Sequence, residues 1–300
     1  MKSLIITIVV VLLVGIGAYF LIPSLLNKEG STIKEPNEEL SQSGNEEQVG
    51  EVDDSKTVLG KSVEGRDITA YHYGVGDTEL LFVGGIHGGY SWNTSLVAFE
   101  MMDYLEESPE SIPQNIKVTV IPVLNPDGLD KVVGTDGRFT KADVPTSRND
   151  VVPGRFNANN VDLNRNFDCD WQTDAMWQSR SVSGGSAAFS EPESEAIKNY
   201  VEVKKPSAVV VWYSSAGGVF ASSCHNGVLP ETLEITNTYS KASGYPAFRD
   251  FNFYEITGDM VNWLAKKNIP AISILLTTHE ATEWSKNKLG IEALFEYYSE

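Results

Sequence analysis

The sequence predicts an α/β fold: a mixed, mostly parallel twisted sheet with helices on both faces, plus an N-terminal transmembrane helix. Three observations predict this fold. Short β-type runs alternate with segments of helical periodicity along most of the chain. Several of these runs are apolar at every position, which is typical of central strands covered on both faces. The N-terminus contains a long apolar run without charged side chains.

The N-terminal segment 1–26 is predicted to be a signal anchor. Leu4 to Leu26 is a run of 23 residues without a charged side chain, long enough to cross a hydrocarbon core of roughly 30 Å as a helix. Lys2 precedes the run and an acidic stretch follows it, so the positive-inside bias places the rest of the chain outside the cytoplasm. A cleaved signal peptide is the alternative, but its apolar core is usually about 7–15 residues long and no A-x-A-like site follows this run.

Residues 27–56 are predicted to form an acidic, disordered linker. They carry nine acidic and three basic side chains and almost no apolar ones. Such a segment cannot bury enough surface to offset its ordering entropy, and its like charges keep it extended. From residue 57 onward the sequence has a globular pattern, so we expect one folded domain over 57–300.

Five strands and five helices are predicted in this domain. The strands are Ile68–Tyr73, Leu80–Gly84, Val118–Val123, Ala208–Tyr213 and Ala271–Thr277. The helices are Trp92–Leu105, Pro192–Val203, Pro230–Ala242, Gly258–Lys267 and Ile291–Tyr298. Sites in such sheets lie at the carboxyl ends of the strands, so the site is expected near Gly84, Tyr213 and Leu275.

The net charge argues against a nucleic-acid partner, and the cysteine content argues against a structural zinc site. The formal net charge is −18 and no cluster of Lys and Arg occurs, which argues against a nucleic-acid partner. The two cysteines, Cys169 and Cys224, either pair in an oxidising compartment or remain separate buried thiols. Two cysteines alone are too few for a structural zinc site.

Four stretches carry the residues that suggest a chemistry. They are Gly84–Asn93 (GGIHGGYSWN), Val161–Phe167 (VDLNRNF), Val211–Ser214 (VWYS) and Ala271–Thr278 (AISILLTT). Shorter pieces support them, namely Gly65–Arg66, Asn125–Gly128 (NPDG) and Ser190–Glu193 (SEPE). In this order along the chain they resemble the zinc carboxypeptidases of the carboxypeptidase A type, and the resemblance runs from about Leu59 to the C-terminus.

The resemblance implies a zinc site and a binding site for the C-terminus of a peptide. In the family, two histidines and one glutamate hold the zinc ion, a water fills the fourth position, and a further glutamate is the general base. An asparagine and an arginine hold the terminal carboxylate, a tyrosine closes over the bound residue, and a second arginine stabilises the oxyanion. Arg155 is the best match to that second arginine, and Arg148 is its competitor.

Most of the catalytic positions are substituted in this chain. His87 matches the first zinc ligand, whereas Ser91 stands at the glutamate ligand, Tyr213 at the second histidine ligand and Leu275 at the general base. A hydroxyl and a phenol with a pKa of about 10 are not ordinary zinc ligands. Leucine cannot accept a proton. We therefore expect zinc, the cofactor of the family, to bind weakly or not at all, and catalysis to be impaired.

The recognition positions are retained. Asn164 and Arg165 match the carboxylate clamp, and an arginine fork suits a carboxylate through two parallel charge-assisted bonds. Tyr254 matches the closing tyrosine. Val261 is expected to line the pocket for the terminal side chain, which favours an apolar residue, while Asp259 nearby favours a basic one; both alternatives remain open.

Other roles are possible for the substituted residues. Ser91 suits the N-cap of the helix that begins at Trp92. Tyr213 and Leu275 can simply fill the volume of an emptied pocket. A Ser91–His87 nucleophile pair is a further alternative, although no carboxylate is evidently placed to orient the imidazole.

Three functions remain at this point. The favoured one is a membrane-anchored, extracytoplasmic pseudopeptidase that recognises the C-terminal carboxylates of peptides, from protein tails or cell-wall peptides. The alternative is an active zinc metallocarboxypeptidase that removes C-terminal residues, and the third is a structural surface domain. The retained clamp favours the first function over the third, and the substitutions favour it over the second.

Overall fold

The computed structural model describes residues 54–300. The strands are β1 (Lys56–Lys61), β2 (Asp67–Tyr73), β3 (Thr78–Val83), β4 (Ile116–Ile121), β5 (Asp174–Trp177), β6 (Arg180–Ser183), β7 (Ala208–Ser214), β8 (Gly218–Ala221), β9 (Ala247–Phe248) and β10 (Ala271–Leu276). The α-helices are α1 (Trp92–Glu107), α2 (Pro126–Val133), α3 (Arg148–Val151), α4 (Pro192–Lys204), α5 (Pro230–Ser243), α6 (Met260–Lys266) and α7 (Trp284–Ser299).

The predicted anchor at 1–26 and nearly all of the linker lie outside the described residues. β1 begins at Lys56, the last residue of the predicted linker. Among residues 54–300, no helix is long and apolar enough to cross a membrane.

Eight strands form one mixed sheet, in the order β1-β2-β4-β3-β7-β10-β8-β9, and β5 and β6 form a separate hairpin. The four central strands β4, β3, β7 and β10 are parallel to one another. The pairs β1–β2, β2–β4 and β8–β10 are antiparallel. The prediction of a mixed sheet with a parallel centre is confirmed.

Helices cover both faces of this sheet, as predicted. Alternate residues of each central strand enter two separate cores, as the period of two in a strand requires. On β7, Val210 and Trp212 pack with residues of α1, α5 and α7. Val209 and Val211 pack on the opposite face with residues of α4 and α6.

The central strands end together at one edge of the sheet. Leu275 on β10 lies opposite Tyr213 on β7, and Val83 on β3 lies opposite Val211. Because these strands are parallel, their carboxyl ends and the loops that follow them meet at the same edge. This register brings residues from distant parts of the sequence into one site.

Several elements differ from the sequence prediction. Strands β1, β5, β6, β8 and β9 and helices α2 and α3 are additional. The unpredicted strands are two to six residues long and lie in the hairpin or in the outer strands of the sheet, and such short runs give a weak periodic signal. Helix α7 begins at Trp284, before the predicted start at Ile291; its first two turns are mostly polar, which weakens the apolar pattern there.

Candidate functional site

The carboxyl ends of the central strands open onto a cavity of about 620 Å³. Nearly all of the predicted site residues lie on its wall. They are His87, Arg155, Asn164, Arg165, Tyr213, Tyr254, Asp259, Val261 and Leu275. Ser91 is buried but is not on the wall. The structure therefore assembles in one place the residues that the resemblance assigns to one site.

A tight turn after β3 positions His87. Gly85 has a φ of +65°, and a Cβ at this position would lie 2.5 Å from Oγ of Ser95. Only glycine adopts this backbone without strain while also avoiding that close approach. The turn directs His87 to the cavity, where its side chain is buried.

The imidazole of His87 lies among charged groups without a hydrogen bond. Its Nε2 is 3.5 Å from Oδ1 of Asp162, and neither ring nitrogen has a hydrogen-bond partner among residues 54–300. Burial and the positive charge of Arg155 lower the pKa of His87 to about 4. The imidazole is therefore neutral at neutral pH, with both nitrogens buried and unsatisfied.

The expected capping role of Ser91 is wrong. Ser91 stands at the N-cap position of α1, but its hydroxyl makes no capping hydrogen bond and has no partner within the described chain. The turn Gly88–Ser91 leads directly into α1 and gives Ser91 φ −112° and ψ 44°, outside the extended conformation typical of an N-cap residue. Because the hydroxyl of Ser91 has no hydrogen-bond partner among the described residues, this arrangement contains no hydrogen-bonded Ser91–His87 nucleophile pair.

Tyr213 does more than fill volume. Its hydroxyl donates a hydrogen bond to Oδ1 of Asn164 at 3.2 Å. Burial and the neighbouring charge of Asp259 raise the pKa of the Tyr213 phenol well above its usual value, so it stays protonated. Leu275, its partner on β10, presents an apolar side chain to the cavity where the family carries a carboxylate base.

The residues at the three ligand positions do not fit a zinc ion. His87 offers one ordinary ligand, whereas Ser91 offers a neutral hydroxyl and Tyr213 a protonated phenol bonded to Asn164. Elsewhere in residues 54–300, the only compact group of metal-ligand side chains contains Cys169 and Cys224, whose sulfurs are joined in a disulfide.

The carboxylate clamp lies on a short 3₁₀ turn, Leu163–Arg165, that is capped by Asp162. Arg165 is 1% exposed, and it donates from Nε to the carbonyl of Met176 at 2.9 Å and from Nη1 to that of Asn164 at 2.6 Å. Its Nη2 has no hydrogen-bond partner within the described residues. The buried guanidinium is therefore held by neutral carbonyls and keeps one donor unpaired.

The structure separates the two arginine candidates for the oxyanion. Arg155 lies on the cavity wall, where Nε and Nη2 both contact Oδ2 of Asp162, at 2.8 and 2.7 Å, and the guanidinium lies over the ring of Trp177 at 4.3 Å. Burial by itself would raise the pKa of Asp162, but the positive charge of Arg155 holds this pKa well below its usual range. Arg148 donates to the hydroxyl of Tyr90 instead and is not on the wall.

The segment before α6 supplies the rest of the wall. Tyr254 packs edge-on against Phe251, with ring centroids 5.0 Å apart. Asp259 is 4% exposed and caps α6 through Oδ2, which accepts from the N–H of Asn262 at 3.4 Å. Its Oδ1 has no partner in the described part of the chain. Burial raises the pKa of Asp259 to about 6, against the pull of Arg165.

The sequence analysis did not assign a site role to Asp162, Trp177 or His279. Asp162 belongs to the Asp-Leu-Asn-Arg motif, so its place in the sequence could have predicted it as a site residue. Trp177 lies on the β5–β6 hairpin and reaches the cavity only through the tertiary fold. His279 follows β10 and hydrogen-bonds Ser214, which only the structure reveals.

A disulfide joins Cys169 to Cys224, which are 55 positions apart. Cys169 also accepts a backbone hydrogen bond from Gly258 at 2.7 Å, and Phe167 donates one to Gly258 at 2.9 Å. These bonds connect the segment after Arg165 to the start of α6. They hold the clamp and Asp259 on the same cavity wall.

Comparison with known proteins assigns the same kind of domain. The sequence model of the zinc carboxypeptidase family matches residues 54–288. Mouse carboxypeptidase M is 24% identical over 60% of this chain and 35% of its own length. The catalytic chain of human carboxypeptidase N is 28% identical over 57% of this chain and 37% of its own. The matches thus span little more than a third of these relatives.

Solved structures share the fold. The murein-tripeptide amidase MpaA from Escherichia coli O157 superimposes with a TM-score of 0.55 at 19% identity, covering 80% of this chain and 91% of that one. Bovine thrombin-activatable fibrinolysis inhibitor, solved in complex with tick carboxypeptidase inhibitor, gives a TM-score of 0.61 at 17% identity, covering 81% and 88%. At these identities the likeness concerns the fold alone.

Proposed function

The chain belongs to the zinc carboxypeptidase family, and from this premise we propose that it is a pseudopeptidase that binds the C-terminal carboxylates of peptides without hydrolysing them. The domain is held outside the cytoplasm by the N-terminal anchor. Its ligands are the ends of protein tails or of cell-wall peptides.

The unpaired donor of Arg165 carries the proposal. A buried charge is normally paired, and leaving it unpaired costs stability. Arg165 is 1% exposed, lies on the cavity wall and leaves Nη2 without a partner among residues 54–300. A carboxylate is the anion whose two oxygens match an arginine fork.

Asn164 supports the same ligand. Its Oδ1 accepts from the hydroxyl of Tyr213 at 3.2 Å and from the N–H of Met260 at 3.1 Å. These two bonds fix the orientation of the amide, so Nδ2 remains as a donor beside Arg165. Both donors act without a metal, and binding of a carboxylate therefore does not depend on the lost zinc ligands.

Asp259 favours a basic terminal residue over an apolar one. Its unpartnered Oδ1 is buried on the wall of the same cavity, where an ammonium or guanidinium group of the ligand would satisfy it. Val261 contributes apolar surface that packs against the stem of a long basic side chain.

Loss of hydrolysis follows from Ser91, Tyr213 and Leu275. Without two zinc ligands the metal-bound water is lost, and a missing general base alone typically costs about 10²–10⁴-fold in rate. The runner-up function, an active metallocarboxypeptidase, requires substitute zinc ligands. Among the described residues, the cavity wall offers one imidazole besides His87, that of His279.

Paired peptides test the proposal. A peptide ending in lysine is titrated with a free and with an amidated C-terminus against the full-length protein in detergent. A charge-assisted bidentate contact contributes on the order of 2 kcal/mol, so amidation should weaken binding more than about tenfold. Arg165→Lys should reduce that difference, whereas Arg138→Ala, an exposed arginine paired with Asp103, should preserve it. Equal affinity for both peptides contradicts the proposal.

A further inference from the structure

His279 lies on the cavity wall and has no part in the proposed clamp. Its Nδ1 is 2.9 Å from Oγ of Ser214, the residue that follows Tyr213 on β7. The ring also packs edge-on against Tyr90, with centroids 4.7 Å apart. The hydrogen bonds around Ser214 determine which ring nitrogen of His279 carries the proton.

Asn93 fixes the direction of these hydrogen bonds. It is fully buried, and its Nδ2 donates to the carbonyls of Thr278 at 2.8 Å and Ala281 at 2.9 Å. Its Oδ1 therefore faces Ser214, at 3.1 Å, and an amide oxygen can only accept. The hydroxyl of Ser214 must donate its single proton to Asn93, so towards His279 it must accept.

The proton of the His279 ring consequently lies on Nδ1, and Nε2 carries the lone pair. Nε2 has no hydrogen bond within residues 54–300. Burial and the positive charges of Arg148 and Arg155 lower the pKa of His279 to about 4, which agrees with a neutral ring. The same hydrogen-bond directions exclude a Ser214–His279 nucleophile pair, because the hydroxyl of Ser214 donates its proton to Asn93 and not to the imidazole.

We propose that Nε2 of His279 accepts a hydrogen bond from a backbone N–H of the bound peptide, one or two residues before its terminal residue. This subsite rests on the proposed function, since it assumes that a peptide end occupies the cavity. Tyr213 bonds the clamp residue Asn164, and the next residue, Ser214, bonds His279. Successive strand residues point to opposite faces, so these two bonds diverge from the end of β7, and His279 lies on the wall of the same cavity as the clamp.

An acceptor at this place complements the rest of the wall. The described clamp groups, Arg165 and Asn164, present donors to the terminal carboxylate. A peptide backbone that leaves the clamp has N–H donors to satisfy, and a neutral imidazole with an open Nε2 matches one of them. The pair of contacts would set the direction in which the peptide leaves the cavity.

The ring proton is tested first, on the protein without ligand. The chain has four histidines, so nitrogen NMR of full-length protein labelled in histidine and held in detergent resolves each ring. His279→Gln identifies the His279 signals. We expect a protonated Nδ1 and an unprotonated Nε2, and a mixture of both forms in Ser214→Ala. A protonated Nε2 in the unaltered protein overturns the inference.

The contact itself is tested with an N-acetylated, lysine-ended tripeptide, which has three amide N–H groups, and with three analogues in each of which one of these N–H groups is replaced by an ester oxygen. One analogue should bind about fivefold more weakly, the effect of a single neutral hydrogen bond. His279→Phe should remove that difference and leave the effect of C-terminal amidation intact. His225 is exposed, pairs with Asp170 and is not on the cavity wall, so His225→Ala should behave as the unaltered protein.

The outcomes separate this inference from the proposed function. If all the ester analogues bind as tightly as the parent peptide, the His279 contact is overturned. If amidation of the C-terminus still weakens binding in that case, the proposed carboxylate clamp stands. Absence of binding by every peptide overturns both.

Discussion

At the scale of single residues, two substitutions have changed the roles of retained neighbours. Tyr213, at a position where the family places a zinc ligand, now orients the amide of Asn164. Leu275 places an apolar group beside it. Asp162, 3.5 Å from the imidazole of His87, forms a buried ion pair with Arg155. The arginine that the resemblance assigns to the oxyanion therefore already has a carboxylate partner.

Restoring the family residues tests whether Ser91 and Tyr213 prevent zinc binding and whether Leu275 prevents hydrolysis. We expect less than one zinc per chain in the dialysed protein by elemental analysis, and about one in the triple variant Ser91→Glu, Tyr213→His and Leu275→Glu. Each single reversion should stay low, because it leaves fewer than three ligands.

The double variant that restores only the two ligands is the matched control for the base. It should bind zinc but release C-terminal residues at least about 100-fold more slowly than the triple variant. Stoichiometric zinc in the unaltered protein, with peptidase activity that a chelator removes, contradicts the pseudopeptidase function.

Asp259 should make stability depend on pH. Its pKa is raised to about 6 in the folded chain, above about 3.9 in an unfolded chain. The folded state therefore holds the proton more tightly, so this carboxyl destabilises the fold progressively as the pH rises from about 4 through 6. Asp259→Asn keeps a side chain that caps helices and removes the charge.

Chemical unfolding of both proteins at pH 4 and pH 8 measures this effect. The Asn variant should be more stable by on the order of 2 kcal/mol at pH 8 and about equal at pH 4. It should also lose the preference for lysine-ended over leucine-ended peptides. A variant that is less stable at pH 8 would show that the carboxylate already has a cationic partner.

At the scale of elements, the sequence predicts those whose pattern is strong and local. The five predicted strands correspond to β2, β3, β4, β7 and β10, and the five predicted helices to α1, α4, α5, α6 and α7. Helix α2 was missed because it has eight residues and a glycine at its third position, so its apolar face is short. Its caps, Asn125 accepting from Gly128 at 2.9 Å and Gly134 with φ +77°, were readable signals.

The motifs predicted most residues of the cavity wall, including the clamp, but not the contacts that these residues make with one another. Asn164 and Arg165 are adjacent in sequence within one motif. The Arg155–Asp162 pair and the His279–Ser214 bond depend on how loops meet in space. No periodicity in the sequence reports such contacts: the first joins two turns, and the second joins the segment after β10 to the end of β7.

The disulfide is the element-scale contact with the clearest energetic effect. A covalent link across 55 positions removes loop-closure entropy from the unfolded chain, which corresponds to about 4 kcal/mol in the chain-entropy model. Replacing both Cys169 and Cys224 by alanine should lower the free energy of unfolding by roughly that amount. Adding a reductant should destabilise the unaltered protein and leave the double variant unchanged, and no response of the unaltered protein would contradict the pairing.

At the scale of the whole molecule, the net charge agrees with the proposed preference for basic peptides. The chain carries a formal net charge of −18, whose field repels anions and attracts basic peptides. A terminal carboxylate must therefore be captured at short range by Arg165 and Asn164, within about 8 Å, the screening distance at physiological ionic strength. Basic side chains near the peptide end would raise the encounter rate, and this advantage should fall as salt is added.

The N-terminal sequence is the basis for the proposed extracytoplasmic placement of the domain. The 23 uncharged residues from Leu4 to Leu26 are long enough for a span, and Lys2 before them with acidic residues after them favours an N-terminus in the cytoplasm. Intact cells treated with a protease should then lose the domain, with cleavage in 27–56, where the sequence predicts a linker. A cytoplasmic protein must stay intact in the same sample to show that the cells were closed.

Fractionation adds the second readout, since an uncleaved anchor keeps the chain in the membrane fraction and a cleaved signal peptide releases it. Full protection of the domain on cells with an accessible surface contradicts the extracytoplasmic placement.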